Sequence, residues 1–245
     1  MEVFALVTSP AAWLALATLI VMEVVLGVDN LVFVALVSNR LPANRRALGR
    51  SVGLSLALGL RLALLGTLVL LRGLTRPVVT MFGHGFSLRD MILLAGGLFL
   101  VWKATSEIRE RLESDAEAAA HAGRDRSIGL LAAILQILVL DLVFSIDSIL
   151  TAVGMTDQLP IMAAAVTIAV GLMLVASGPL SDFLRGNPTV VMLALGFLLM
   201  IGAVLIADGC GFHIPRGYVY AAMAFSAVVE TLNMVARRAR RGSGG

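Results

Sequence analysis

Charge is what this chain has least of. Only 14% of its 245 residues are Asp, Glu, Lys or Arg, while 59% are hydrophobic and the mean hydropathy is +0.95. A soluble domain of this length needs more polar surface. The composition therefore indicates a polytopic membrane protein whose main contact is the lipid bilayer. There is a single cysteine, Cys210, which excludes an internal disulfide framework. No His or Cys falls in the deep part of any apolar run, which disfavours zinc or copper there. Cys210 and His213 have a metal-like separation but lack a second pair. The first ten residues carry Glu2 and no Lys or Arg, so a signal peptide is not expected and the first span is retained. No Gly-x-x-x-x-Gly-Lys-Ser loop occurs, which speaks against primary ATP-driven pumping. No organic cofactor is expected. The net charge of +3 invites a nucleic-acid partner. That partner is rejected, because the basic residues sit at the ends of apolar segments.

What is present is a set of seven long apolar runs. They cover about 12–37, 51–73, 88–105, 128–152, 160–180, 189–207 and 216–236, each near the ~20 residues a helix needs to cross a bilayer. With the N-terminus outside, the cytoplasmic segments hold 14 basic residues and the outer segments hold 4. That bias predicts an inner-membrane, multi-pass protein with its N-terminus outside and its C-terminus in the cytoplasm. Arg61 is the remaining cation, and it lies inside the second run.

Two of the runs contain carboxylates in matched motifs: Glu23-Val-Val-Leu-Gly-Val-Asp29-Asn30 and Asp141-Leu-Val-Phe-Ser-Ile-Asp147-Ser148. Intramembrane acids mark function by default. Weaker echoes follow in the same order. Leu58-Gly59-Leu60 with Gly66 matches Val170-Gly171-Leu172 with Gly178, and Leu94-Ala95-Gly96-Gly97 matches Leu193-Ala194-Leu195-Gly196. A three-span unit repeated once must invert, because three is odd. The expected fold is all-α, with about seven transmembrane helices in an inverted 3+3 repeat plus one C-terminal helix. The domains are then 1–105 (first repeat), 106–127 (cytoplasmic polar linker), 128–208 (second repeat), 209–236 (seventh span) and 237–245 (basic tail).

Geometry and charge give the motifs a chemistry. Residues seven apart share a helix face, so Glu23 faces with Asn30 and Asp141 with Ser148. Residues six apart diverge by about 120° on an ideal helix. Asp29 and Asp147 would miss that face unless the span unwinds, and Gly27 beside Asp29-Asn30 predicts such a break in the first copy. Four converging carboxylates, Glu23, Asp29, Asp141 and Asp147, cannot all stay ionised in low dielectric without a cation, and otherwise take up protons. Both outcomes suit a site that exchanges a divalent metal ion for protons. The donors are hard oxygens, with the Asn30 amide and the Ser148 hydroxyl completing the set, which suits Mg, Ca or Mn. Arg61 tunes the charge or holds an acid when the ion is absent.

Other residues carry less. Glu230 and Asn233 share a face of the seventh span, as a gate or exit ligand or as helix packing. Asp90, Asp208 and His213 lie at outer ends, where they either guide cations or are simply solvated. Methionines and phenylalanines are read as lipid-facing or packing residues. Gly53, Gly59, Gly66, Gly96 and Gly97 are expected to let helices approach closely.

The acidic motifs at 23–30 and 141–148, Gly-Gly-Leu-Phe-Leu-Val-Trp-Lys at 96–103, and the stretch from Gly211 to Asn233 together resemble the TerC family of integral membrane proteins. The family is named for tellurium resistance and is related to the LysE-type transporters. The resemblance covers nearly the whole chain and implies a manganese exporter. It carries the functional role to Glu23, Asp29, Asn30, Asp141, Asp147 and Ser148. The expected activity is export of Mn²⁺, as transported substrate, from the cytoplasm against protons. A homo-oligomer is compatible with it. Two rivals stand beside it. One is an intramembrane aspartyl protease, to which Gly27-Val28-Asp29 gives faint support. The other is a non-transporting scaffold linked to tellurium resistance.

Overall fold

A computed structural model of the chain describes residues 9–67, 77–81, 84–117, 128–153 and 158–242. Seven long helices run through them: α1 (Pro10–Asn39), α2 (Arg46–Gly66), α3 (Leu88–Glu117), α4 (Leu130–Val153), α5 (Leu159–Gly186), α6 (Pro188–Gly209) and α7 (Arg216–Gly242). Six are long and apolar enough to cross a bilayer, and α4 adds a shorter apolar run, Leu130–Ile146, among its described residues. The chain is an all-α polytopic membrane protein of about seven helices.

Local chemistry sets several helix ends. Pro10 and Pro188 open α1 and α6, where a missing N–H costs nothing. At the start of α3 the Asp90 carboxylate accepts the Ser87 N–H (2.9 Å), and the Asp90 N–H donates to Ser87 Oγ (3.2 Å). This is a reciprocal capping box, and it gives Asp90 a structural task. At the end of α6, Gly211 takes φ 88°, and the Phe212 N–H reaches back to Ala207 O (2.9 Å). That left-handed residue is why a glycine stands there. Asp208 then accepts the Ile214 N–H (3.3 Å), with His213 Nδ1 at 3.6 Å.

Some boundaries differ from the expected ones. α2 starts at Arg46 rather than near 51, and α3 continues to Glu117, beyond the apolar run. Arg109–Glu113 (2.6 Å) and Arg111–Glu107 (3.7 Å) pairs one turn apart favour that polar extension, so the first part of the 106–127 linker is helix. A short antiparallel ribbon, Pro77–Met81 with His84–Ser87, was not foreseen.

The helices group into two compact units. The first contains α1, α2, α4 and α5, and the second contains α3 from Leu93 onward, α6 and α7. In the first unit α1 packs most extensively on α5, and α2 on α4. Each of these pairs is parallel. Gly27 meets Met173 and, further along both helices, Asn39 bonds Ser181. Likewise Gly53 meets Ile137, and Arg61 bonds Ser145. α1 and α2 run antiparallel to each other. One end of this unit is apolar, with Leu19, Leu65, Ile149 and Met162 in a buried cluster. The opposite end is polar. There Asn39 Nδ2 donates to Ser181 O (3.1 Å), Ser181 Oγ to Asn39 Oδ1 (2.6 Å), and Arg50 Nη1 to Ser181 Oγ (3.3 Å).

The glycines divide by face. In the second unit a Cβ on Gly97 would lie 2.7 Å from Gly202 O and 2.9 Å from Ile206 N, both backbone atoms. Gly53 and Gly97 serve close approach as expected. Gly59 and Gly66 do not, because a Cβ on either would meet nothing within 4 Å among the described residues. Gly97→Ala is expected to destabilise the protein by the ~1–3 kcal/mol typical of overpacking. Gly59→Ala should be neutral or stabilising, since Ala is the better helix former by about 1 kcal/mol. Unfolding of both variants in detergent, followed by temperature or SDS titration, checks the contrast.

Candidate functional site

The first acidic motif lies in the middle of α1, and the helix does not break there. Residues 10–39 form one continuous helix, so the expected unwinding at Gly27 is absent. Gly27 serves another purpose. A Cβ at that position would collide with Met173 Cε and lie 3.1 Å from Met173 Sδ. The missing side chain is what admits the α5 thioether. Glu23, Gly27 and Asn30, at spacings of four and three, share this buried face. Asp29 is also buried, about 9 Å along the axis from Glu23.

The second motif presents Asp141, Ser145 and Ser148 with the same spacing on α4, all buried. Arg61 enters between the two motifs from α2, with 3% of its surface exposed. Its Nη1 donates to Glu23 Oε2 at 2.5 Å, its Nη2 to Asp141 Oδ1 at 3.1 Å, and its Nε to Ser145 Oγ at 2.9 Å. Ser145 Oγ in turn donates to Asp141 Oδ2 (3.1 Å), and Asn30 Nδ2 donates to Asp141 Oδ1 (2.6 Å). Three helices are thus tied by one guanidinium, and an acid of each motif shares it. Only a planar fork with several fixed donors can make all three contacts at once.

The network is saturated on one side and open on the other. Asp141 accepts from Arg61, Ser145 and Asn30. Glu23 Oε1 and Asn30 Oδ1 are buried and accept no hydrogen bond from the described residues. Ser148 stands beside Glu23, but its hydroxyl donates to Ser145 O at 3.3 Å. Two unsatisfied oxygens of this kind are costly unless something else fills their valence. A mostly apolar crevice lined by Leu19, Leu65, Ile149 and Met162 reaches Glu23 from the apolar end of the unit.

Of the four acids expected to converge, the described side chains bring two together, Glu23 and Asp141. The side chain of Asp147 lies outside the described residues. Among the described residues no group of three or more His, Cys, Asp or Glu side chains is close enough to hold a metal ion. Arg61 occupies the space where two acids could share one. Glu230 and Asn233 sit on α7 in the second unit, half-buried and exposed respectively. Two residues at the site were missed. Ser145 carries no role in the motif reading, although its place four residues after Asp141 puts it on the same face. Met173 was taken as packing. Its signal was its alignment with Arg61 once Gly59 and Gly66 are laid on Gly171 and Gly178.

A family model for the integral membrane protein TerC family matches residues 8–243. The chain is similar to the UPF0053 inner membrane protein YgdQ of Escherichia coli, at 48% identity over 95% of this chain and 96% of that protein. It is similar also to the UPF0053 inner membrane protein YoaE, at 50% identity over 94% of this chain and 44% of that protein, and to the UPF0053 protein YegH, at 48% identity over 96% and 44%. The chain thus spans under half the length of two of these relatives. No solved structure matches it.

The charge arrangement makes a sharp forecast. Arg61→Gln leaves two buried carboxylates without their cation and should cost about 3–5 kcal/mol of stability. Adding Glu23→Gln and Asp141→Asn to the same chain removes the stranded charges and should restore most of the loss. Unfolding of the single and triple variants in detergent measures both steps.

Proposed function

The chain belongs to the TerC family of integral membrane proteins, and on that premise we propose that it is a secondary transporter exporting a divalent cation, Mn²⁺, in exchange for protons. The observation that carries this reading is Arg61 drawing together one carboxylate from each acidic motif. An internal cation held between two acids is what an ion site needs when its substrate is absent. Without it, Glu23 and Asp141 would each need a proton or a metal ion to remain in low dielectric.

In this reading Arg61 and the divalent ion compete for the same oxygens. With the substrate gone, the guanidinium holds Glu23 and Asp141. When the ion arrives, those oxygens turn to it, together with Glu23 Oε1 and the Asn30 amide oxygen, which accept no hydrogen bond from the described residues. Asp29, Asp147 and Ser148 complete the donor set. The oxygens suit a hard or borderline divalent cation. On release, the acids return to Arg61 or take up protons, which couples export to inward proton movement.

The alternation draws support from the parallel pairs. Exchanging the chain halves maps α1 on α4 and α2 on α5, and so maps the α1–α5 pair on the α4–α2 pair. The mapped helices run in opposite directions. That relation suits an inverted repeat with its site at the centre, which opens to either side as one arrangement trades for its mirror. The basic-residue bias favours the N-terminus outside. The names of YgdQ and YoaE state an inner-membrane location, which we extend to this chain.

Purified protein in proteoliposomes tests the proposal. Vesicles with an acidic lumen should accumulate Mn²⁺ as protons leave, and collapsing the pH gradient should slow uptake. Asp29→Asn combined with Asp147→Asn should lower the flux by at least roughly tenfold. Equal flux in the wild type and the double variant would reject the mechanism.

A further inference from the structure

Carboxylates, an amide and a hydroxyl do not separate Mn²⁺ or Fe²⁺ from Mg²⁺ or Ca²⁺, because all four ions accept oxygen. Something else at the site must discriminate if the transporter is to avoid the far commoner alkaline-earth ions. We infer that the thioether sulfur of Met173 is that element: a soft donor that selects transition-metal ions over Mg²⁺ and Ca²⁺. The inference rests on the transporter reading and names the selectivity of the same site.

Position is the first argument. Met173 is buried, and its Sδ and Cε lie against Gly27. Gly27 is four residues after Glu23 and three before Asn30, so the sulfur rests on the one helix face that both residues share. Those two residues carry buried oxygens that accept no hydrogen bond from the described residues, Glu23 Oε1 and Asn30 Oδ1. The thioether is therefore flanked along α1 by two acceptors of the site. A larger residue than glycine at position 27 would hold the sulfur away.

The second argument is the duplication. Laying Gly59 and Gly66 on Gly171 and Gly178 puts Arg61 on Met173. Laying Glu23 and Asn30 on Asp141 and Ser148 puts Gly27 on Ser145. The contacts obey the same exchange: Arg61 of α2 bonds Ser145 of α4, and Met173 of α5 rests on Gly27 of α1. Met173 thus holds, in its half, the place from which Arg61 reaches the acids in the other half. A packing methionine could stand anywhere on α5. This one stands where the framework delivers a side chain to the ion site.

Chemistry assigns the role. A thioether is a poor ligand for Mg²⁺, which keeps its water, and for Ca²⁺, which prefers oxygen, but it is tolerated by polarisable first-row ions. Leucine matches methionine in volume, so Met173→Leu keeps the packing at a cost usually below 1.5 kcal/mol. Mn²⁺ binding to the purified full-length protein in detergent, read by electron paramagnetic resonance, is titrated against Mg²⁺ and Ca²⁺. Wild type should keep Mn²⁺ in a large excess of either competitor. Met173→Leu should make both competitors more effective by a factor on the order of ten. Met173→Cys should instead sharpen inhibition of Mn²⁺ binding by Cd²⁺, and it serves if the leucine variant fails to fold. Unchanged competition in Met173→Leu, or no added Cd²⁺ sensitivity in Met173→Cys, overturns the inference. Altered selectivity in a protein that moves no Mn²⁺ across vesicles upholds the sulfur donor and rejects transport. A wild type that binds no Mn²⁺ overturns both.

Discussion

A carboxylate buried in a membrane interior costs several kcal/mol unless a counter-charge or a proton accompanies it. Arg61 meets two of them at once and adds a hydroxyl, so α1, α2 and α4 are fixed to one cation. Position and helix spacing at the site both follow from that contact. In the proposed transporter, a divalent cation that reaches Glu23 and Asp141 would offer the same compensation with a higher charge, and the internal cation would stand in for it after release.

The two halves of the first unit share a framework and differ in chemistry. One half places a glycine and a thioether at the level where the other places a serine and a guanidinium. Identical halves would put like charges opposite each other, two arginines or none. Divergence at one equivalent pair of positions gives a single cation for charge balance and a single sulfur beside the free oxygens. The same exchange explains Gly27. A glycine in an apolar helix is an expense in helix propensity, and here it is offset by the approach of Met173.

Periodicity carried much of the fold. Apolar runs of about twenty residues are unmistakable, and six of the seven helices are apolar enough to cross as they stand, with α4 adding its shorter run. Helix ends were less legible, since they depend on partners. α3 runs past its apolar stretch on paired charges, and its start rests on the Ser87–Asp90 cap. At the site, the matched acids at positions 23 and 141 and the lone buried Arg61 were visible, because charge inside apolar sequence stands out against its surroundings. Ser145 and Met173 were not, because serine and methionine are ordinary residues in a membrane helix. Gly27 was misread as a helix breaker for a related reason. A glycine reports that space is needed, and it does not say whether the space is for a backbone turn or for a neighbour.

By itself the sequence determined that the chain lives in lipid, that two of its apolar runs carry matched acidic motifs, and that its buried charge is confined to a few positions. These follow from composition and spacing, which act through solvation and helix period alone. Tertiary structure decided which charges meet: that Arg61 spans both motifs, that α1 stays whole, and that a methionine from the other half comes to rest on Gly27. Such pairings depend on helix contacts between segments distant in the chain, 38 residues apart for Arg61 and Glu23 and 84 for Arg61 and Ser145. No local pattern specifies those distances, and only the packed bundle sets them.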